Sequence, residues 1–217
     1  MEDIPHRGAD RVPPGQYVTE KWPVLTYGRT PVVSPKDWGL RILGLVEQPV
    51  ALSWTAFQAL PRTEVKADFH CVTRFSTLDN RWSGVSTREV LMQARVLPEA
   101  AFVSVRCFGG YTTNLPLEDF LSEHALFADR WNGEPLAVDH GGPVRLVVPH
   151  LYAWKSAKWV SGLELLAEDQ RGFWEENGYH TYGDPWTEQR FSSQETRNAG
   201  QVRLRARELG IVPSDQR

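Results

Sequence analysis

The chain has 217 residues, of which 24 are Lys or Arg and 27 are Asp or Glu, so its formal net charge at pH 7 is -3. Neither sign forms a long block, so nothing in the sequence indicates a nucleic-acid or anionic-membrane surface. With 41% hydrophobic and 11% aromatic residues, the chain can bury a sizeable core. No secretory segment begins it, and no apolar run reaches the ~18 residues of a membrane span. We therefore expect a cytoplasmic protein without a membrane span.

The first 35 residues are rich in Pro and Gly, with "VPPG", "KWPV" and "TPVVSP". Such composition favours an extended path over the surface of the following domain. The length suits one large domain. We predict an extended N-terminal arm over residues 1–20 and a single domain over residues 21–217.

Hydrophobic patterning predicts short elements along the domain. In chain order these are a strand at 38–46, a helix at about 87–95, a strand at 100–108, a short helix at 116–123, a strand at 144–149 and a helix-compatible segment at 194–210. Ser86 and Glu89 form a capping box at the start of the first helix, and Pro116 is expected at the first position of the second. The three strands are expected to anchor one sheet. Scattered short helices without βαβ alternation indicate an α+β fold.

The two cysteines, Cys71 and Cys107, are 36 positions apart, a spacing that favours neither a disulfide framework nor a CxxC zinc site. A lone cysteine such as Cys71, which follows a β-rich run in "FHCVTRFSTLDNRWSGV", is usually a small buried hydrophobe. The neighbouring His70 and Arg74 bring positive charge that favours a thiolate. A phosphatase-like loop would need arginine six positions after Cys71, where the sequence has Thr77.

A second group of candidate residues lies in "DHGGPVRLVVPHLYAWKSAKWV", residues 139–160. Its basic residues are His140, Arg145, Lys155 and Lys158. The paired Gly141 and Gly142 would let backbone amides approach a ligand closely, which suits an anion. Basic residues at strand ends are equally compatible with solvated surface charge. Downstream, Tyr179 and the "YGDPW" loop could wall a cleft or simply pack.

Taken together, "FHCVTRFSTLDNRWSGV" and "NGEPLAVDHGGPVRLVVPHLYAWKSAKWV" resemble the molybdopterin-binding catalytic domain of the sulfite oxidase family, over about residues 20–190. The resemblance implies a mixed α+β fold of β-sheets with short surrounding helices. It also implies a molybdenum ion bound by one pterin dithiolene and by one cysteine thiolate, which would be Cys71. A soft sulfur anion suits a metal already bound by sulfur.

The same resemblance implies the cofactor-binding residues, which besides Cys71 are Tyr27, Gly28, Arg29, His140, Arg145, Ser156, Ala157 and Lys158. Arg74 and Lys155, with His70, are expected to bring positive charge to the substrate mouth, so that the catalytic set is Cys71, Arg74 and Lys155. Cys107 is expected to be a packed thiol near a further cofactor position.

Sulfite oxidases carry a tyrosine beside the metal, shortly before the NG motif, where "LFADRWNG" has Asp129. An acid there would repel sulfite. The animal enzymes of the family also carry a haem domain and a C-terminal dimerisation domain, which this sequence does not show. It is therefore expected to resemble the small stand-alone bacterial members, some of which reduce S- or N-oxides.

These residues predict an oxidoreductase that transfers an oxygen atom to or from a small sulfur or nitrogen compound. It would exchange electrons with a separate electron-transfer protein. The alternative is a protein that stores or carries molybdopterin without turnover.

Overall fold

The structure is a computed structural model that describes residues 11–195 and 204–212. Its strands are β1 (Tyr17–Val18), β2 (Gly39–Gly44), β3 (Val50–Ser53), β4 (Thr63–His70), β5 (Phe75–Ser86), β6 (Phe102–Cys107), β7 (Thr112–Pro116), β8 (Leu126–Trp131), β9 (Glu134–Pro135), β10 (Arg145–Val147) and β11 (Val160–Leu166). Its helices are α1 (Trp54–Gln58), α2 (Thr87–Leu91), α3 (Leu117–Phe120) and α4 (Phe173–Glu176), with 3-10 turns at Pro35–Asp37, Val138–His140, Ala153–Lys155 and Ser192–Gln194. None of the helices in the described ranges has the length and apolarity needed to cross a membrane. In the helix-compatible segment 194–210, residues 196–203 lie outside the described residues, and residues 204–210 form a loop and turns rather than the expected helix.

The strands form two mixed sheets. The first has the order β1-β5-β8-β10, with β4 added beside β5 and β9 beside β8, and the second has the order β3-β2-β11-β6-β7. The pairs β1–β5 and β2–β11 are parallel, and the others are antiparallel. Long strands and short peripheral helices confirm the predicted α+β class.

The main hydrophobic core takes side chains from both sheets. Leu40 of β2, Leu163 of β11 and Phe127 of β8 are fully buried in it. Because side chains alternate along a strand, the first sheet turns a second set to its other face, where Trp82 belongs to a smaller apolar cluster. Trp22 of the N-terminal segment packs against that cluster, and the candidate site lies beside it.

The three predicted strands are confirmed as β2, β6 and β10, but the expectation that they share one sheet is wrong. β2 and β6 both pair with β11 in the second sheet. β10 instead pairs with β8 in the first sheet, Arg145 opposite Ala128. The sequence pattern predicts where each strand lies along the chain, whereas the sheet that a strand joins depends on partner strands distant in sequence.

Of the two predicted helix starts, that of α2 is confirmed and that of α3 differs in the position of its proline. The Ser86 hydroxyl accepts a hydrogen bond from the Glu89 N–H at 3.2 Å, which confirms the cap of α2. The helix ends at Leu91, earlier than expected. Pro116 is the last residue of β7 and the N-cap of α3 rather than its first helical residue. Proline has no backbone N–H to donate, so it is tolerated at the end of a β-strand as well as at the start of a helix.

Candidate active site

A cavity of about 460 Å³ opens where the turn between β4 and β5 meets the N-terminal segment and the chain around residues 140–159. Seven of the residues predicted to form the site line it: Tyr27, Cys71, His140, Arg145, Ser156, Ala157 and Lys158. Four do not: Gly28, Arg29, Arg74 and Lys155. The fold therefore brings the cysteine and the distant "DHGGPVR" and "KSAKW" segments to one space.

Cys71 begins the tight turn that closes the β4–β5 hairpin. Its N–H donates to the Phe75 carbonyl and its carbonyl accepts from the Arg74 N–H, both at 2.9 Å, and Arg74 adopts a φ of 80°. The side chain is buried, with the Thr73 hydroxyl donating to Sγ at 3.2 Å. Burial raises the pKa of the Cys71 thiol, while the hydrogen bonds of Thr73 and the charge of Arg190 act to lower it. The turn thus presents one sulfur to the cavity.

Arg145 is a buried cation, only 3% exposed. Its Nη1 donates to the His140 carbonyl at 2.9 Å and its Nη2 to the Ser156 carbonyl at 2.8 Å. The guanidinium lies 5.3 Å from the Trp22 ring centroid and 5.2 Å from that of Phe69. Within the described part of the chain no carboxylate forms an ion pair with it, and burial lowers its pKa to about 9. A buried cation paired only with dipoles and rings suits an anionic ligand.

Lys158 ties the N-terminal segment to the site. Its Nζ donates to the Leu25 carbonyl at 2.8 Å, to the Thr26 hydroxyl at 2.7 Å and to the Asp139 carbonyl at 2.9 Å. Burial, followed by the charge of Arg145, lowers the pKa of Lys158 to about 8. The amine therefore keeps its charge over most of the neutral range.

His140 forms part of the aromatic wall. Its ring stacks on Trp22, with 3.8 Å between centroids and 10° between planes. Burial, then the charges of Arg145 and Lys158, lower the pKa of His140 to about 4. It is therefore neutral at pH 7 and offers stacking and a hydrogen bond rather than a charge.

Gly141 and Gly142 serve packing, not ligand binding. Their N–H groups donate to the carbonyls of Val138 at 3.0 Å and Ala137 at 3.1 Å, so the expected approach of these amides to a ligand is wrong. A Cβ on Gly142 would lie 2.3 Å from the Leu136 carbonyl oxygen. Gly141 has a φ of 107°, a conformation that favours glycine. The pair lets the turn lie close to its neighbours and so positions Arg145.

The two predicted catalytic cations, Lys155 and Arg74, lie away from the cavity. Lys155 has no exposed surface, and its Nζ lies 2.6 Å from Oε1 of Glu175 and donates to the Asn114 carbonyl at 2.8 Å. Its charge is thus neutralised inside the protein, which corrects the expected place at the mouth. Arg74 is exposed, with Nη1 reaching the Gly15 carbonyl at 3.5 Å.

The remaining predicted positions are also outside the lining. Gly28 and Arg29 are exposed. His70 is buried, with Nδ1 2.8 Å from the Ser76 hydroxyl. Cys107 is buried, and desolvation raises its pKa, in keeping with a packed thiol.

Asp129 does not face the cavity. Its carboxylate accepts hydrogen bonds from Nε2 of Gln58 at 2.6 Å and from Nη2 of Arg62 at 2.5 Å. The expected repulsion of sulfite by this acid is therefore wrong, because an arginine neutralises it on another face of β8.

Aromatic walls were largely missed from the sequence. Trp22, Trp154, Phe173 and Trp174 line the cavity, as does Tyr179. Tyr179 stacks on Trp174, with centroids 5.0 Å apart, and meets Trp154 edge-on at 5.1 Å. The nine tryptophans of the chain indicated a well-packed body, but nothing local distinguishes a cavity wall from a core.

Comparison with known proteins identifies relatives. Residues 27–174 match the family model described as the oxidoreductase molybdopterin binding domain. An uncharacterized oxidoreductase of Bacillus subtilis, YuiH, is 50% identical over 183 residues, covering 84% of this chain and 92% of that protein. Sulfite oxidase of Arabidopsis thaliana is 27% identical and covers 72% of this chain, but the chain spans about half, 49%, of that protein.

Two further relatives extend the range of chemistry. The protein-methionine-sulfoxide reductase catalytic subunit of Campylobacter jejuni is 29% identical over 171 residues, which is 68% of this chain and 55% of that protein. The solved structure of the sulfane dehydrogenase SoxCD from Paracoccus pantotrophus superimposes with a TM-score of 0.59 at 25% identity, covering 64% of this chain and 40% of that chain. The predicted family and fold are confirmed, and the carrier alternative is not favoured. The chain belongs to the oxidoreductase molybdopterin-binding family of sulfite oxidase-like proteins, whose cofactor is a molybdenum–pterin dithiolene.

Proposed function

We propose that the protein transfers an oxygen atom to or from a small neutral sulfur or nitrogen compound at a molybdenum ion bound by Cys71. One observation carries the proposal: the buried thiol of Cys71 and the guanidinium of Arg145, which has no carboxylate partner among the described residues, open on the same aromatic-walled cavity. The described residues contain no group of three or more His, Cys, Asp or Glu side chains that could hold a metal. A metal at Cys71 would take its other ligands from outside the chain.

The residues present fit a pterin with an anionic tail. Arg145 has five N–H groups, and three carbonyl hydrogen bonds leave two of them for a ligand. Each charge-assisted hydrogen bond from Arg145 contributes roughly 1.5–3 kcal/mol. Lys158 lines the same space, but its three N–H groups bind Leu25, Thr26 and Asp139, so it contributes positive charge rather than a free donor. When bound, the molybdenum cofactor would supply the two-electron redox chemistry. The chain holds its sulfur, its anion and its aromatic walls in place.

The charge of the cavity favours a neutral substrate. The charged side chains that line it in the described ranges, Arg145 and Lys158, are both engaged with backbone oxygens. His140 is neutral at pH 7, and the predicted mouth cations Arg74 and Lys155 lie elsewhere. A sulfite dianion needs several cations to offset its desolvation, whereas the neutral S–O or N–O group of an oxide needs only hydrogen-bond donors.

The relatives support oxygen transfer in both directions, since they include a sulfite oxidase and a methionine sulfoxide reductase. A neutral substrate favours the reductive direction. The two electrons consumed in each turnover would come from a separate electron-transfer protein. Tyr27, at the edge of the cavity, is 73% exposed, so the mouth of the cavity is open to such a partner or to substrate.

A test combines metal analysis with parallel assays on protein from a molybdenum-replete host. We expect about one molybdenum and one pterin per chain, with viologen-linked reduction of methionine sulfoxide or trimethylamine N-oxide exceeding sulfite oxidation. Cys71→Ser should fold but lose the sulfur-to-metal charge-transfer absorption and the activity. Cys107→Ser is the matched control and should keep both. A Cys71→Ser protein with wild-type absorption and turnover would refute the ligand assignment, and faster sulfite oxidation would refute the substrate class.

A further inference from the structure

Arg190 is a second buried arginine, and it lies directly behind the Cys71 turn. It is only 5% exposed, although 118 positions separate it from the turn residue that it contacts. Its Nη1 donates to the Val72 carbonyl at 2.6 Å and its Nη2 to the Pro14 carbonyl at 3.4 Å. The guanidinium therefore clamps the turn that carries the sulfur to the N-terminal segment.

Other buried polar groups converge on the same turn. Nε2 of Gln16 donates to the Cys71 carbonyl at 3.1 Å, and the Tyr152 ring lies 5.0 Å beneath the Arg190 guanidinium. Among the described residues, the Nε of Arg190 is buried without a hydrogen-bond partner. A structure leaves such a group unpaired only where another requirement holds it, since each costs about 1–3 kcal/mol.

The positive charge of Arg190 is only weakly compensated. Its carboxylate neighbour in the described ranges, Glu188, lies 3.5 Å away and is 43% exposed, against 6% for the arginine side chain. Water screens the exposed carboxylate more than the buried guanidinium. Because the guanidinium hydrogen-bonds the carbonyl of Val72, the residue that follows Cys71 in the turn, its field reaches the Cys71 sulfur.

We propose that Arg190 is a positioning residue that fixes the Cys71 turn and raises the reduction potential of the metal bound by that thiolate. A nearby buried cation stabilises the reduced centre, which carries one more negative charge, relative to the oxidised centre. The inference rests on the proposed function, because it takes Cys71 as the ligand. It adds a residue outside the cavity lining that acts through the ligand rather than through the substrate.

The experiment is an EPR-monitored redox titration of the molybdenum-loaded protein. Arg190→Gln removes the cation and should shift the midpoint potential of the Mo(VI)/Mo(V) couple downward and move the thiolate-to-metal absorption band. Arg190→Lys keeps the charge and should shift the potential less. Glu188→Gln removes the opposing carboxylate and should shift it upward. Arg88→Gln makes the same charge change at an exposed site on α2 and should leave the potential unchanged.

Opposite shifts in the Arg190 and Glu188 variants would support the inference. Equal potentials in wild type, Arg190→Gln and Glu188→Gln would overturn it, as would an Arg190→Lys shift as large as that of Arg190→Gln. If Arg190→Gln fails to fold or to bind metal, the sign of the Glu188→Gln shift decides, because that substitution is on the surface and conserves shape. Failure of the proposed function is distinguishable, since Cys71→Ser would then keep the charge-transfer band whatever the Arg190 variants show.

Discussion

Replacing Arg145 by methionine separates a structural arginine from one that is held for a ligand. Methionine keeps an unbranched apolar stem of similar length between the Trp22 and Phe69 rings while removing the charge. The guanidinium is buried without a carboxylate partner in the described part of the chain. The substitution therefore removes an electrostatic penalty as well as hydrogen bonds.

The two effects are of similar size in the metal-free protein. A fall in the pKa of Arg145 from 12.5 to about 9 corresponds to a penalty on the order of 5 kcal/mol, at about 1.4 kcal/mol for each pH unit. Methionine would relieve that penalty but would leave the carbonyls of His140 and Ser156 without their donors, at roughly 1–3 kcal/mol each. We expect the free energy of unfolding to change by no more than about 3 kcal/mol.

The loaded protein should behave differently. Loss of two charge-assisted hydrogen bonds to the pterin or its anionic tail costs about 3–6 kcal/mol, a factor of roughly 10² to 10⁴ in cofactor affinity. Thermal unfolding of metal-free and loaded Arg145→Met, together with molybdenum and pterin content, tests both halves. A metal-free variant that unfolds far more easily than wild type while keeping its molybdenum would refute the reasoning, since Arg145 would then be structural.

Two further substitutions test the neighbouring groups. Glu175→Gln should lower the free energy of unfolding by about 3–5 kcal/mol, because it leaves Lys155 charged and buried without its carboxylate partner. Since burial already depresses the pKa of Lys155, the loss of stability should be largest at low pH and shrink as pH rises. Urea unfolding at pH 6 and 9 of this variant and of the Lys155→Met, Glu175→Gln double variant would measure it, and equal losses at both pH values would contradict the expectation. Cys107→Ala should cost about 1 kcal/mol and leave molybdenum content unchanged, because Cys107 is buried outside the cavity; metal analysis showing an empty protein would contradict this.

Local patterns predicted single elements better than their assembly. The alternation of residues 38–46 and the β-branched run of 100–108 correspond to β2 and β6, since each depends only on which faces are buried. The 12-residue strand β5 was missed because its sequence, "FSTLDNRWSGVS", is polar at many positions. Its burial comes from β1, β4 and β8 on its two edges, and no short window contains those partners.

The site residues likewise fall into those that local motifs predict and those that only the folded structure brings together. Cys71, His140, Arg145 and Lys158 lie in motifs whose order and spacing are visible in the sequence, and the structure gathers them around one cavity. Arg190 contacts the turn across 118 positions, so its neighbourhood exists only after folding.

The pairing of buried cations separates functional from structural charge in this chain. Lys155, Arg145 and Arg190 are all at least nine-tenths buried. Lys155 has a carboxylate partner as buried as itself, forms a closed pair, and lies away from the cavity. Arg145 and Arg190 lack a buried carboxylate partner among the described residues, and both lie next to the cavity, one beside the expected pterin and one behind the thiolate. A buried charge without a counter-ion is costly to the folded chain, so its presence at these two places supports our proposal that the balancing negative charge comes from the cofactor and its sulfur ligand.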